Sequence, residues 1–214
     1  MTSGNRSACA LAALLLTLAP GAPGAELELD ALLARLARPA PATTPFVEAR
    51  WSSLLKTPLV SSGTLEYRGP DALARHVLAP YREDTEIAAG EVRMTREGQR
   101  PQKFPLSRAP ELHGLLTGFS ALLGGDRAAL EREFEVGVAL GREGWTLELT
   151  PRAERTRKRI GRIAIEGRGS EPRCFTVDGS GENASVMLLG SAAEAPLPEP
   201  LERAALEQRC ADGD

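Results

Sequence analysis

Short segments with apolar residues at every second position recur along most of this chain, and they constrain its fold more than any other feature. Residues at this spacing lie on one face of a β-strand. Turn residues such as Gly69-Pro70 and Gly179-Ser180-Gly181 separate the segments. Strands spaced by roughly 8–12 residues are typical of an antiparallel sheet or barrel. We predict strands at 43–51, 59–68, 71–79, 85–89, 91–96, 134–140, 144–151, 160–167, 174–178 and 185–189.

Two segments follow a helical period instead. Residues 26–38 carry Leu29, Leu32, Leu33 and Leu36 at the spacing of one helix face, and Pro39 follows. Residues 110–123 repeat this spacing before Gly124-Gly125, and their stripe consists of Leu112, Leu115, Leu116, Phe119, Leu122 and Leu123. Shorter helices are predicted at 126–132, with Asp126 as the N-cap, and at 200–209.

A wide antiparallel sheet and helices with one apolar face predict the architecture. We expect an α+β fold, a half-open antiparallel β-barrel formed by a strongly curved sheet, with helices on its concave side. An aliphatic cavity lies between them in this arrangement. Period-two alternation predicts that the concave face bears Leu65, Tyr67, Trp145, Leu147, Leu149, Ile163 and Ile165.

Two glycines interrupt the helix at 110–123. Gly114 and Gly118 each weaken a helix by about 0.5–1 kcal/mol relative to Ala. Two interpretations remain open. The segment is a lid that moves to admit cargo, or the glycines allow close packing against the sheet.

The N-terminus has the order of a secretory signal peptide. Arg6 precedes an apolar run at 8–19 that contains one polar residue, Thr17, and small residues follow up to Ala25. A membrane anchor needs a run of roughly 18 residues or more. Cys9 lies at the start of the apolar run and not directly after it, so it does not form a lipobox. We predict a signal peptide at 1–25, a binding domain at 26–194 and a C-terminal tail at 195–214, in a protein exported to the periplasm of a Gram-negative bacterium.

Export leaves Cys174 and Cys210 as a pair. In an oxidising compartment such a pair usually forms a disulfide, which here ties the tail back. The competing interpretation, a metal or redox pair, favours close spacing such as C-x-x-C, and these cysteines are 36 positions apart.

Signals for other chemistry are missing from the sequence. The formal net charge of −3 argues against nucleic-acid binding. His76 and His113 are the two histidines, and neither has a second ligand at metal-binding spacing. No nucleophile elbow or phosphate loop is present. We expect no enzyme activity, no metal and no cofactor.

A basic segment lies between two of the predicted strands. Five basic residues, Arg152, Arg155, Arg157, Lys158 and Arg159, fall within eight positions, and Arg162 follows. One interpretation is a solvated hairpin loop. The other is a basic lip that contacts anionic headgroups or an acidic partner, and Arg155, Arg157, Lys158 and Arg159, together with Arg68, are the candidate contacts.

Several motifs, in this order, resemble the LolA family of periplasmic lipoprotein carriers. They are FVEAR at 46–50, SGTLEYR at 62–68 before Pro70, LAP at 78–80, LLTGFSALLGG at 115–125 and WTLELTP at 145–151, followed by Ile160, Ile163 and Ile165. They span residues 28–190. The resemblance implies a half-open barrel that holds acyl chains and ferries them between an inner-membrane exporter and an outer-membrane acceptor. The family's arginine before the proline of that turn is here Gly69, with Arg68 one position earlier, on the opposite strand face.

These observations favour a carrier. We expect a monomer that binds the acyl chains of a lipid or lipoprotein, with Leu112, Leu115, Leu116 and Phe119 on the helix and the concave residues as the acyl site. The alternative is a protein-binding accessory module of an envelope exporter or assembly machine, with no lipid inside.

Overall fold

A computed structural model describes residues 23–142 and 144–212. The predicted signal peptide lies almost entirely outside these residues. The elements are α1 (Pro23–Leu36), β1 (Ala42–Trp51), β2 (Leu59–Gly69), β3 (Ala72–Ala79), β4 (Glu83–Ala88), β5 (Glu91–Arg96), β6 (Gln102–Pro105), a 3₁₀ turn (Leu106–Arg108), α2 (Pro110–Gly124), α3 (Arg127–Glu133), β7 (Phe134–Leu140), β8 (Trp145–Pro151), α4 (Glu154–Arg157), β9 (Ile160–Arg168), β10 (Glu171–Gly179), β11 (Ala184–Leu189), α5 (Ser191–Glu194) and α6 (Arg203–Asp212).

All the described strands belong to one antiparallel sheet. Its order is β6-β5-β4-β3-β2-β1-β11-β10-β9-β8-β7, so β6 and β7 are the edges and the sheet does not close. The half-open barrel and the α+β class predicted from the sequence are therefore confirmed. The chain forms one arm of the sheet before α2 and returns through the other arm after it, and β1 joins the arms by pairing with β11.

The helices α1 and α2 fill the concave side of the sheet. The leucine stripe of α1 is buried, as predicted, and it belongs to the same hydrophobic cluster as the concave strand residues. Arg38 N donates to Leu123 O at 2.9 Å, which fixes the end of the α1 segment to the end of α2. Asp126 caps α3, since its side chain accepts from Ala129 N at 2.9 Å.

A second, smaller cluster covers the convex face of the central strands. Val186 and Leu188 of β11 point away from the concave interior and pack with Leu206 of α6. Cys174 on β10 forms a disulfide with Cys210 on α6. The C-terminal tail is therefore held against the back of the sheet.

Several elements differ from the prediction. Helix α1 ends at Leu36, and α6 begins at Arg203 and continues past Cys210. The strand β6 was not predicted, because its four residues, Gln102–Pro105, contain one apolar side chain between charged or proline neighbours. It pairs with β5, whose register places Phe104 beside Val92.

The disulfide generates a stability prediction. Native exported protein should contain no reactive thiol, and replacing both Cys174 and Cys210 with Ser should lower the free energy of unfolding by about 2–4 kcal/mol. Urea denaturation measures the loss, and reduction of the unmodified protein is the matched control. Two labelled thiols in the native protein would contradict the pairing.

Candidate functional site

The concave face of the sheet has an apolar half, formed by strands β8 to β11. Pairing across these strands places Leu147 opposite Ile165, Ile165 opposite Phe175, and Phe175 opposite Met187. A parallel row joins Leu149, Ile163 and Val177. All except Val177 are buried. The result is a continuous aliphatic and aromatic surface.

Helix α2 lies directly on this apolar half. The Phe119 ring stacks on the Phe175 ring, with 5.4 Å between their centroids. A Cβ added at Gly118 would lie 3.3 Å from Ile165 Cδ1, and one added at Gly114 would lie 2.7 Å from Ile163 Cδ1. The glycines bring the helix backbone within contact of the strands, which favours the close-packing interpretation. The contacts at both positions end on flexible side chains.

Most of the predicted acyl-site residues are brought together in one interior. Leu112 is half-buried at the edge of the hydrophobic cluster, and Tyr67 is buried without belonging to it. The buried members of the cluster are Leu65, Leu115, Leu116, Phe119, Trp145, Leu147, Leu149, Ile163 and Ile165. Their orientation toward the interior follows the predicted alternation. Their role as ligand contacts stays a prediction.

The interior is packed, and a small cavity marks one end of α2. The cavity has a volume of about 20 Å³ and is lined by residues that include His113, Gly114, Phe134, Thr156 and Ile163. Binding sites for small molecules are roughly 300–1,000 Å³. This cavity is therefore far smaller than a site for an acyl chain.

The other half of the concave face, on β1 to β5, carries a buried ion network. Glu48 follows Met187 in the same cross-strand row, and its carboxylate accepts from Arg75 Nη2 at 2.6 Å. Arg75 Nη1 lies 3.8 Å from Glu83 Oε1, and Arg96 Nε donates to Glu83 Oε2 at 2.7 Å. Both carboxylates are buried. Along this cross-strand row the side chains are therefore apolar on β8 to β11, and the side chain on β1 is ion-paired.

Aromatic rings support the guanidinium groups of this network. The Arg75 guanidinium lies over the Phe46 ring at 4.7 Å from its centroid, and that of Arg96 lies over the Tyr81 ring at 4.2 Å. Such cation–π contacts contribute most where the cation is shielded from water. Phe46 belongs to the apolar cluster, so it forms the boundary between the two halves.

The pKa of Glu48 reflects this arrangement. Burial by itself raises the pKa of the carboxyl group, but the charges of Arg50 and Arg75 and their hydrogen bonds outweigh burial. The net effect lowers the pKa below its ordinary value. Glu48 is therefore an ionised group inside the barrel at neutral pH.

The sequence contained a signal for this network that strand prediction overlooked. Arg75 lies two positions from both Leu73 and Val77, where period-two alternation predicts an apolar residue. Glu48 likewise lies two positions after Phe46, on the same strand face. A charge on the inward face of an apolar strand indicates a buried partner.

The predicted polar contacts lie elsewhere. Arg68 is on the convex face and pairs with Glu66 at 2.7 Å and Glu86 at 3.2 Å. The basic segment forms α4 and its flanks at the β8–β9 connection. Arg157 donates to Arg152 O at 2.9 Å, and Lys158 pairs with Glu154 at 3.0 Å.

Neither a metal centre nor a membrane-crossing helix is found in the described ranges. No three His, Cys, Asp or Glu side chains there are grouped so that they could hold a metal ion. No helix of these ranges is both long and apolar enough to cross a membrane.

A half-open antiparallel sheet with helices enclosed on its apolar face defines the class of fold. Residues 21–213 match the family model described as outer membrane lipoprotein carrier protein LolA-like, and the chain belongs to that family.

Solved structures include similar folds at low sequence identity. One is a LolA superfamily protein from Nitrosomonas europaea, with 9% identity, a TM-score of 0.43 and coverage of 83% of this chain and 96% of the other. Another is a DUF1329 family protein from Desulfovibrio piger, with 11% identity, a TM-score of 0.32 and coverage of 84% and 96%. A search of curated proteins found no match.

The ion network generates a prediction about stability and pH. Replacing Glu48 with Gln leaves Arg75 buried with one carboxylate fewer, which should lower the free energy of unfolding at pH 7 by about 3 kcal/mol. Because the folded-state pKa of Glu48 is lowered, its contribution is present above the ordinary carboxyl pKa and is lost as pH falls through the folded value.

Urea denaturation of both proteins at pH 7 and at about pH 3 measures this effect. The difference between them should shrink at the lower pH. Replacing the exposed Glu135 with Gln is the matched control and should change stability little. An equal loss at both pH values would contradict an electrostatic role for Glu48.

Proposed function

We propose that this protein is a carrier that binds acyl chains of a lipid or lipoprotein on the apolar half of the concave face. The observation that supports this most is the identity of the groups that cover that face. In a closed sandwich, side chains of a second sheet would cover it. Here the cover is α2, an element attached through connections at each end and separable from the strands without breaking the sheet ladder.

Displacement of α2 would exchange one set of apolar contacts for another. The buried face of the helix, with Leu115, Leu116 and Phe119, and an acyl chain compete for the same strand residues. Apolar burial contributes roughly 25 cal/mol per Å² in either case. Exchange is therefore close to balanced, as a carrier that must release its cargo requires.

The ion network would set the limit of the acyl site. Moving a hydrocarbon chain against Glu48 and Arg75 would separate a buried ion pair without replacing it, which is unfavourable. Acyl chains should therefore lie along β8 to β11, away from this ion pair.

The biological setting is part of the proposal. The family description, outer membrane lipoprotein carrier, supports an exported periplasmic protein. We propose that it acts as a monomer, receives cargo from an inner-membrane exporter and delivers it to an outer-membrane acceptor. It would act without a cofactor and without catalysing a reaction.

The two tryptophans of the chain provide a direct test. Trp145 faces the interior and is buried, whereas Trp51 packs with the convex cluster. A fatty acid brominated along its chain quenches tryptophan fluorescence on contact. We expect it to quench the variant Trp51→Phe, which retains the interior tryptophan, and to leave the matched variant Trp145→Phe nearly unquenched.

Either of two results would contradict the proposal. Equal quenching of the two variants would indicate adsorption to the surface. No quenching of either, together with no acyl lipid in native mass spectra of the purified protein, would favour the protein-binding module instead.

A further inference from the structure

One end of the half-barrel carries most of the exposed leucines. Among the described residues the large hydrophobic side chains that are exposed are Leu54, Leu55, Leu59, Leu78 and Leu140. Leu54 and Leu55 lie in the β1–β2 connection, Leu59 begins β2 and Leu78 is one residue before the end of β3. The antiparallel register places all four at the same end of the sheet. Leu140, the last residue of β7, is at the opposite end.

The same end is basic. Five hairpin connections project from it, at residues 52–58, 80–82, 97–101, 152–159 and 180–183, and we call them the basic rim. The segment 152–159 has a formal charge of +4. The segments 52–58 and 80–82 have +1 each, 97–101 is neutral and 180–183 has −1. The formal charge of the whole rim is therefore +5. The four hairpin connections at the other end, 70–71, 89–90, 141–144 and 169–170, total −1. The chain as a whole has −3.

Part of this charge is not neutralised within the protein. Glu154 pairs with Lys158 at 3.0 Å, and Glu135 lies 4.0 Å from Arg152. Arg155 and Arg159 are exposed and form no ion pair with any residue that the structure describes. Lys56 is exposed directly after Leu54 and Leu55. The apolar tip, together with Lys56, and the cations Arg155 and Arg159 therefore occupy separate hairpins of one rim.

We propose that the basic rim docks on the surface of an anionic phospholipid bilayer. The hairpin tips at one end of the strands can contact a flat surface together, and the surface of a membrane is flat. Leu54 and Leu55 enter the boundary between headgroups and acyl chains, while Arg155 and Arg159 stay at the level of the phosphates. An acidic protein would pair with the cations, but it would not explain why Leu54, at the hairpin tip, is 91% exposed.

The geometry also relates the rim to the interior. The small cavity beside α2 is lined by Ala153 and Thr156 of the basic segment and by Gly114 of the helix. A docked protein would therefore hold this end of the acyl site against the membrane. Docking itself does not depend on the carrier proposal, because it requires no bound cargo.

Vesicle sedimentation tests the proposal. The protein is expressed with its own N-terminal segment and purified from the soluble periplasmic fraction. It should bind vesicles of phosphatidylethanolamine and phosphatidylglycerol at 0.1 M salt, bind phosphatidylcholine vesicles weakly, and lose most binding at 0.5 M salt. Replacing both Arg155 and Arg159 with Gln should weaken binding by about 25-fold, at about fivefold per charge.

Matched variants distinguish docking through the rim from nonspecific effects of charge and hydrophobicity on vesicle binding. Replacing Leu54 with Ser should weaken binding by about 10-fold, whereas Leu140→Ser, at the other end, should not. The double variant Arg93→Gln/Arg142→Gln removes two exposed cations away from the rim and should bind as the unmodified protein does.

Two outcomes would overturn the proposal. One is equal weakening by the rim and control variants. The other is absence of binding to anionic vesicles while immobilised poly-glutamate retains the protein through Arg155 and Arg159, which would assign the rim to an acidic protein surface. Fatty-acid quenching of Trp145 is measured on the same samples, so failure of docking and failure of cargo binding are distinguishable.

Discussion

The apolar half of the concave face must be covered, and the rest of the structure follows from how this is done. A sheet that curls without closing leaves Leu147, Leu149, Ile163, Ile165 and Phe175 facing open space. Exposing a surface of this kind to water costs roughly 25 cal/mol per Å². Helix α2 removes that cost, and Gly114 and Gly118 let it approach close enough for direct contact with the strands. An acyl chain would offer the same strands an equivalent apolar surface.

The two arms of the sheet hold their positions through different interactions. On the apolar arm an acyl chain could replace α2, because one hydrocarbon surface would replace another and no hydrogen bond or ion pair would be lost. On the other arm Glu48, Arg75 and Glu83 form buried ion pairs whose separation is strongly unfavourable. Behind the junction of the arms, the disulfide between Cys174 and Cys210 fixes α6 to the convex face. This arrangement would permit motion of α2 while the sheet keeps its shape.

Much of this architecture could be predicted from sequence because its determinants are local. Alternation over 145–151 and 160–167 locates two strands and their inward faces, and Asp126 marks the start of α3. The sequence left two interpretations of Gly114 and Gly118 open, because their contacts depend on how deeply α2 sits against β9. The pairing of Glu48 with Arg75 was also missed, because the partners are 27 positions apart and alternation alone assigns a face rather than a neighbour.

The central claim is that α2 and an acyl chain occupy the same surface, and a distance between spin labels tests it most directly. Labels are placed on α2 by Thr117→Cys and on the outer face of β8 by Glu148→Cys, and Glu66→Cys with Glu148→Cys is the sheet-to-sheet control. Saturating fatty acid should lengthen the first distance by about 4 Å or more, since carbon atoms pack no closer than about 3.5–4.0 Å. The control distance should stay the same. An unchanged distance from α2 to β8 in a protein whose Trp145 is quenched by bound fatty acid would contradict the account.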